Sequence, residues 1–294
     1  MIESGDENIV RRESADKDNA EFWNYLCGTN AAIYMGFDLA TEEGVLEFDN
    51  WYFHFYPYLK AYIDQTILDA QTSLEVGIGL GTVSRYLSRN VNELSALDVA
   101  PQPCIFLQKS LESENVNLNT INTSILDGTL FTQVGERFDS AIAIGSLHHT
   151  GNLNLALDNL IGSVEPGGKI LVMVYNEFSF YRLLKNPLRF LLRLTESKFR
   201  KKYTWSEHDG PIRAVNDSND EGMAAPHTAY SSKRLFTSRS DSKWNVNSEN
   251  LSDFILFKKL ISRRKLLYFV HIFGGLDLYA TGIKLPDPET GFES

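Results

Sequence analysis

The stretch SLEVGIGLGTVSRYLSR, from Ser73 to Arg89, places three glycines at every second position between an apolar run and an amphipathic helical pattern. Gly77 allows the chain to turn sharply off a strand, Gly79 allows the backbone to approach a bound group, and Gly81 permits tight packing of the helix, because none has a Cβ. Backbone amides at the start of the helix would then face a ligand. A tight strand-to-helix connection without a ligand is the alternative.

Apolar runs and helical patterns alternate after this point. TSLEVGI, NELSALDVA, NTSILDG, FDSAIAIGSL and KILVMVYN predict strands, whereas TVSRYLSR, PCIFLQKSLES and LNLALDNLIGSV predict helices. Strands that alternate with helices of this length imply a parallel sheet with right-handed crossovers. Further along, LDLYATGIKL alternates like a closing strand. The predicted fold class is therefore α/β.

Other parts of the chain surround this α/β core, which we assign to residues 72–176. Residues 1–20 are predicted to form a disordered acidic tail. Residues 21–71 are rich in aromatic side chains and should form a helical cover, which Pro57 breaks into two pieces. Residues 177–294 should contribute insertions and closing strands of the same domain.

The composition limits the classes of function. A formal net charge of −10 argues against a nucleic-acid binder, which needs Lys and Arg to neutralise phosphates. Cys27 and Cys104 are too few for a disulfide scaffold, and no metal-ligand spacing stands out, so we expect a reducing compartment and no metal ion. The start resembles no secretory signal, and LLYFVHIFGGL is shorter than the roughly 20 residues that span a bilayer. We therefore predict a cytoplasmic protein.

Acidic residues stand near the ends of the predicted strands. Glu75 precedes the first glycine, and a dinucleotide fingerprint counted from Gly77 would place Thr82 where a third small residue belongs. A carboxylate at this place would repel a pyrophosphate, but it suits a ligand with an ammonium and a sulfonium group. Asp98 ends the second strand, where it can accept hydrogen bonds from ribose hydroxyls, unless it is only a solvated acid. Asp127 could bind an adenine amino group.

Five ordered motifs, LEVGIGLGT, ALDVA, SILDG, FDSAIAIGSLHHT and VEPGGKILVMVYN, resemble those of class I S-adenosylmethionine-dependent methyltransferases. The outer motifs HDGPIRA, AYSSKRLF and GGLDLYATGIK resemble those of a bacterial subgroup of small-molecule methyltransferases. The resemblance implies a Rossmann-like, mostly parallel seven-stranded sheet with helices on both faces. It also implies S-adenosylmethionine as the cofactor.

The resemblance assigns roles in cofactor binding to individual residues. The first strand and the glycine run would hold the methionine portion, the second strand the ribose, and SILDG the adenine. The residues concerned are Glu75, Gly77, Gly79, Gly81, Asp98, Val99, Leu126, Asp127, Gly128, Ser146 and Leu147. Tyr52, Tyr56 and Tyr58 would close over the cofactor, although an aromatic cluster is as often plain core.

The implied chemistry is an in-line displacement of the sulfonium methyl by an oxygen, nitrogen or carbon atom of a small metabolite, sugar or lipid-like acceptor. Positioning can supply most of the acceleration, because the methyl donor is already activated. His148 and His149 follow the fourth strand and have a pKa range suited to a general base. A structural, cofactor-lining role is the alternative for both.

Two further features leave alternatives open. The segment 178–202 is basic in an acidic chain, and it could be a solvated face, a recruiter of an anionic acceptor or a peripheral contact with an anionic membrane. A second basic and apolar stretch follows at 254–270. As classes of protein, a catalytically silent methyltransferase-fold binding protein and a nicotinamide-dependent oxidoreductase compete with the enzyme. Glu75 and Thr82 disfavour the oxidoreductase.

Overall fold

A computed structural model describes six parts of the chain: residues 5–25, 36–127, 137–185, 187–199, 225–250 and 274–286. Gly128, Cys27, the motif HDGPIRA and the basic stretch 254–270 lie outside these residues.

Seven strands in the described part of the chain form one sheet. They are β1 (Thr72–Val76), β2 (Glu93–Asp98), β3 (Leu118–Asn122), β4 (Phe138–Ile144), β5 (Val164–Tyr175), β6 (Ser242–Glu249) and β7 (Asp277–Lys284). Their order is β3-β2-β1-β4-β5-β7-β6. The pairs from β3 to β5 are parallel, and β7 is antiparallel to both of its neighbours. The predicted α/β class and the mostly parallel seven-stranded sheet are confirmed.

The helices connect the strands or cover the sheet. They are α1 (Gly5–Tyr25), α2 (Glu42–Phe55), α3 (Leu59–Ile67), α4 (Thr82–Ser88), α5 (Pro101–Ser110), α6 (Leu153–Gly162), α7 (Phe180–Lys185), α8 (Pro187–Phe199) and α9 (Arg234–Thr237). A 3₁₀ turn, Leu147–His149, follows β4. Pro57 lies between α2 and α3, as the predicted break in the cover requires.

Both faces of the sheet are buried, which explains why the central strands are continuous apolar runs. Successive residues of β5 alternate between two core clusters: Leu171 and Met173 belong to one, and Ile170 and Val172 to the other. The Leu171 cluster includes residues of α3, α4 and α5, and the Val172 cluster includes residues of α6 and α9. The helices therefore pack against both faces of the sheet.

Three elements differ from the sequence predictions. Residues 5–25 form helix α1 where a disordered tail over 1–20 was expected. The third strand is Leu118–Asn122, not NTSILDG, because the Asp127 N–H donates to the Ser124 carbonyl and turns the chain there. Strand β6 was not predicted, since SKWNVNSE is a mainly polar edge strand with few apolar residues to reveal it.

Candidate functional site

A cavity of about 350 Å³ opens near the carboxyl ends of β1, β2 and β4. The strand order reverses direction between β1 and β4, and open α/β sheets bind their ligands at such a point. Six of the predicted site residues line this cavity: Gly77, Gly79, Asp98, Val99, Ser146 and His149.

Two glycines of the loop after β1 serve different purposes. A Cβ on Gly77, where φ is +91°, would lie 2.2 Å from the Cβ of Ser146, so only glycine fits against the loop after β4. The Ser146 hydroxyl donates a hydrogen bond to the Val76 carbonyl, which holds the two loops together. A Cβ on Gly79 would meet no atom within 4 Å, although Gly79 lines the cavity. The loop therefore leaves open space for a ligand at Gly79.

Asp98 links this loop to the start of α5. One carboxylate oxygen accepts from the Ile78 N–H at 2.8 Å, and the other accepts from the Ala100 N–H at 2.9 Å. Burial raises the pKa of Asp98, and these backbone N–H groups act in the opposite direction. Asp98 also lines the cavity, so a ligand bound there would lie beside this side chain.

Glu75 lies behind the loop rather than on the cavity wall. Its carboxylate accepts a hydrogen bond from the Ser84 hydroxyl on α4, and only 2% of the residue is exposed. Burial raises the pKa of Glu75 to about 8, and the neighbouring charge of Asp98 adds to this effect. Gly81, the N-cap of α4, also lies outside the lining, against the Arg85 side chain.

The cavity wall near SILDG lies two residues before the residues predicted to contact the adenine. Leu126 is 3% exposed and belongs to the hydrophobic core, and it does not line this cavity. Ser124 and Ile125 line the cavity instead of Leu126 and Asp127. The turn between Ser124 and Asp127 causes this shift, because it directs Leu126 inward.

The two adjacent histidines face different surroundings. His148 is fully buried, as is Leu147, and neither residue lines the cavity. The His148 ring lies 4.1 Å from the ring of Tyr175, and neither of its nitrogens has a hydrogen-bond partner among the described residues. Burial lowers the pKa of His148 well below its usual value. His148 is therefore neutral, and it lies behind the cavity wall rather than on it.

His149, by contrast, lines the cavity. Its Nδ1 lies 3.1 Å from the Thr228 hydroxyl, and that hydroxyl donates to the Ala225 carbonyl at 3.0 Å. Because the Thr228 proton is directed to Ala225, the hydroxyl oxygen accepts from Nδ1–H, and Nε2 is the acceptor nitrogen of His149. A residue of the late segment APHTAY thus sets the tautomer, which the sequence analysis did not predict.

Helix α1 contributes part of the cavity wall through Asp16, Asn19 and Trp23. The Asn19 side-chain amide donates to the His149 carbonyl at 2.7 Å, and Ser124 donates to Asp16 at 2.7 Å. The sequence analysis missed these residues. The spacing of Ala15, Asn19 and Trp23, four residues apart, is the signal that could have revealed a helix face.

The aromatic cover contributes two of its three predicted tyrosines. Tyr52 and Tyr56 line the cavity, and their rings lie 4.9 Å apart. Tyr58 packs instead against the buried Tyr279 of β7, with ring centroids 5.2 Å apart. The cover is thus both a wall of the cavity and a part of the core.

The described residues contain neither a candidate metal cluster nor a candidate membrane-spanning helix. Among them, no group of three or more His, Cys, Asp and Glu side chains is placed to hold a metal ion. No helix in these parts of the chain is long and apolar enough to cross a membrane.

Comparisons with known proteins agree with this geometry. Residues 74–170 match the family model of a methyltransferase domain, Methyltransf_12. No curated protein matches the chain at a significant level. The plantazolicin methyltransferase BamL, solved with a triazolic desmethylPZN analog and SAH, has a similar fold, with a TM-score of 0.50 and 13% sequence identity. The match covers 95% of this chain and 99% of the BamL chain. The DhpI–SAH complex also has a similar fold, with a TM-score of 0.50 and 12% sequence identity, and the match covers 94% of this chain and 99% of the DhpI chain.

The matched residues and the fold together define a class of protein. Residues 74–170, which span β1 to the middle of β5 and include the glycine loop, match a methyltransferase domain, and the sheet has the fold of class I methyltransferases. These comparisons indicate S-adenosylmethionine as the cofactor.

Proposed function

We propose that this protein transfers the methyl group of S-adenosylmethionine to a small-molecule acceptor, at an oxygen, nitrogen or carbon atom. The cavity at the β1/β4 switch point carries the proposal, because Gly79 leaves space there and Asp98 lies on its wall. When bound, the cofactor supplies an activated methyl group, which the acceptor atom displaces in line from sulfur. That BamL and DhpI were solved with SAH supports this choice of cofactor.

The protein's own residues would hold the two reactants. Asp98 would accept hydrogen bonds from the ribose hydroxyls, and the open backbone at Gly79 would allow the cofactor to approach the loop. Tyr52, Tyr56 and Trp23 would cover the reactants and exclude water. Positioning of this kind supplies much of the rate enhancement when a bimolecular step becomes effectively unimolecular.

His149 is the proposed general base for an acceptor that must lose a proton. It lines the cavity, and the Thr228 hydroxyl accepts from Nδ1–H, so Nε2 is the nitrogen that can take the proton. His148 has no such role in this proposal, because it is buried outside the cavity and its lowered pKa makes it a weak proton acceptor. A positioned base contributes about 10²–10⁴-fold to a rate.

The charge of the cavity wall supports a class of acceptor. The described lining contains the carboxylates of Asp16 and Asp98 and no Lys or Arg. An anionic acceptor would be repelled in this environment, so we infer that the acceptor is neutral or cationic, such as an amine or a phenol.

Turnover tests this proposal. The purified protein is incubated with S-adenosylmethionine and a panel of amines, phenols and carboxylic acids, and released S-adenosylhomocysteine is measured. We expect release with neutral or cationic acceptors and a kcat at least about tenfold lower for His149→Ala. A folded protein that binds S-adenosylhomocysteine but methylates no member of the panel would instead be a catalytically silent binding protein.

A further inference from the structure

Helices α7 and α8 carry an exposed apolar surface. In the described part of the chain eleven large apolar side chains are exposed, and six of them lie on these two short helices. These six residues, the α7–α8 surface, are Phe180, Leu184, Leu188, Leu191, Leu192 and Leu194. Most water-exposed helices show the reverse, with apolar side chains turned toward the core.

The geometry of α8 explains why the leucines face outward. Leu188, Leu191 and Leu192 are spaced three and four residues apart, so they share one face of the helix, and they are 70%, 54% and 56% exposed. The other side of α8 is attached to the protein. Phe190 packs edge-on against Phe178, and Arg193 lies 3.9 Å from the Glu177 carboxylate. The leucine face is therefore the face that points away from these attachments.

The segment 178–202, which includes this surface, is positively charged in sequence, and this charge favours an anionic partner. Between residues 178 and 202 the sequence contains one acidic residue, Glu196, and eight basic ones: Arg182, Lys185, Arg189, Arg193, Lys198, Arg200, Lys201 and Lys202. The whole chain, by contrast, has a net charge of −10. A second copy docked face to face would bring a like charge and be repelled. An anionic lipid surface would be attracted by the same charge, and leucines can enter its interfacial layer.

We propose that the α7–α8 surface docks the protein peripherally on an anionic membrane. The leucines of α8 enter the headgroup region while the helix lies in the plane of the interface, and the net positive charge of the segment 178–202 attracts lipid phosphates. Helix α7 begins five residues after Tyr175, which lines the cavity, so docking would bring lipid close to the site. The inference does not depend on the proposed methyl transfer, because it uses only the charge and the exposure of these helices.

Vesicle sedimentation tests the inference. The protein is mixed with vesicles of phosphatidylcholine alone or of phosphatidylcholine with about 30% phosphatidylglycerol, and the bound fraction is measured at low and high salt. The test variant combines Leu188→Gln, Leu191→Gln and Leu192→Gln. The matched control combines Leu46→Gln and Leu68→Gln, two leucines of similar exposure on other elements, at 57% and 61%.

We expect the natural protein and the control to bind the anionic vesicles at least about tenfold more tightly than the neutral ones, with loss at high salt. The triple variant should lose this binding while its thermal unfolding is unchanged. Three results would overturn the inference: no binding to anionic vesicles, equal binding to neutral and anionic vesicles, or a dimer that the triple variant dissociates in the absence of any vesicle binding.

Discussion

Asp49 on α2 accepts two hydrogen bonds from the guanidinium of Arg85 on α4, at 2.7 Å to Nε and 2.6 Å to Nη2. Thr82 donates a third to the same carboxylate at 2.6 Å. Arg85 is 2% exposed, so this bidentate ion pair is buried between the aromatic cover and the helix that follows the glycine loop. Tyr52, which lines the cavity, lies one turn of α2 beyond Asp49.

Removing one partner of this pair should destabilise the protein strongly. Asp49→Ala leaves the Arg85 charge buried and uncompensated, which costs about 3–5 kcal/mol. The half-exposed pair between Arg89 and Glu114 is the matched control, and Arg89→Ala should cost at most about 1 kcal/mol. Urea unfolding measures both variants. Equal losses of unfolding free energy in the two variants would contradict the importance of the buried pair.

Gly79→Ala should weaken cofactor binding more than it weakens the fold. Its φ of +55° makes alanine unfavourable by about 1–2 kcal/mol, and the added methyl would occupy the open space in the cavity. Gly167, with φ +86° and no atom within 4 Å of an added Cβ, provides the same strain in β5. We expect S-adenosylhomocysteine affinity to fall at least about tenfold for Gly79→Ala only. Similar affinity in both variants would show that the ligand does not approach the loop at Gly79.

Glu75 should make the stability of the protein depend on pH. Burial raises its pKa to about 8, so between pH 5 and 8 the folded chain holds a proton that the unfolded chain has released. This contribution to the free energy of unfolding is complete below the unfolded pKa and is lost as the pH rises through 8. Glu75→Gln should remove that part of the pH dependence, whereas Glu165→Gln, an exposed glutamate, should keep it. Denaturant unfolding at pH 5, 6.5 and 8 measures the difference, and parallel curves for Glu75→Gln and the natural protein would refute it.

Thr228 should act through His149 without touching the reactants. Thr228→Val removes the hydroxyl that holds Nδ1–H, so kcat should fall about tenfold while KM and the affinity for S-adenosylhomocysteine stay the same. Thr228→Ser keeps a hydroxyl and should restore kcat. Steady-state kinetics on an identified acceptor measure both variants. A Thr228→Ser variant as slow as Thr228→Val would assign the residue a purely structural role.

The glycine loop and its strand could be predicted because their signals are local. Only one residue separates Gly77 from Gly79 in the sequence, and the alternation of strands and helices is regular around them. The contribution of α1 could not be predicted from composition alone, since Asn19 donates to the carbonyl of His149, 130 residues further along. Its polar sequence is stabilised by such tertiary contacts rather than by an apolar stripe.

The direction of side chains within a turn could not be predicted from the sequence either. His148 and His149 are identical and adjacent, but one is buried beside Tyr175 and the other lines the cavity. Adjacent side chains of a 3₁₀ turn point in different directions, so a step of one residue decides which histidine is buried and which lines the cavity. Likewise, Leu126 enters the core because of the turn at Ser124, and a sequence pattern of this length does not encode that turn unambiguously.

Calorimetric titration of the purified protein with S-adenosylhomocysteine and with NADH tests most directly whether the cavity above the glycine loop binds S-adenosylmethionine. The structure predicts binding of one S-adenosylhomocysteine, no binding of NADH, and clear weakening in Asp98→Asn, whose side chain lines the cavity. A folded natural protein that bound NADH, or that bound neither ligand, would contradict the assignment.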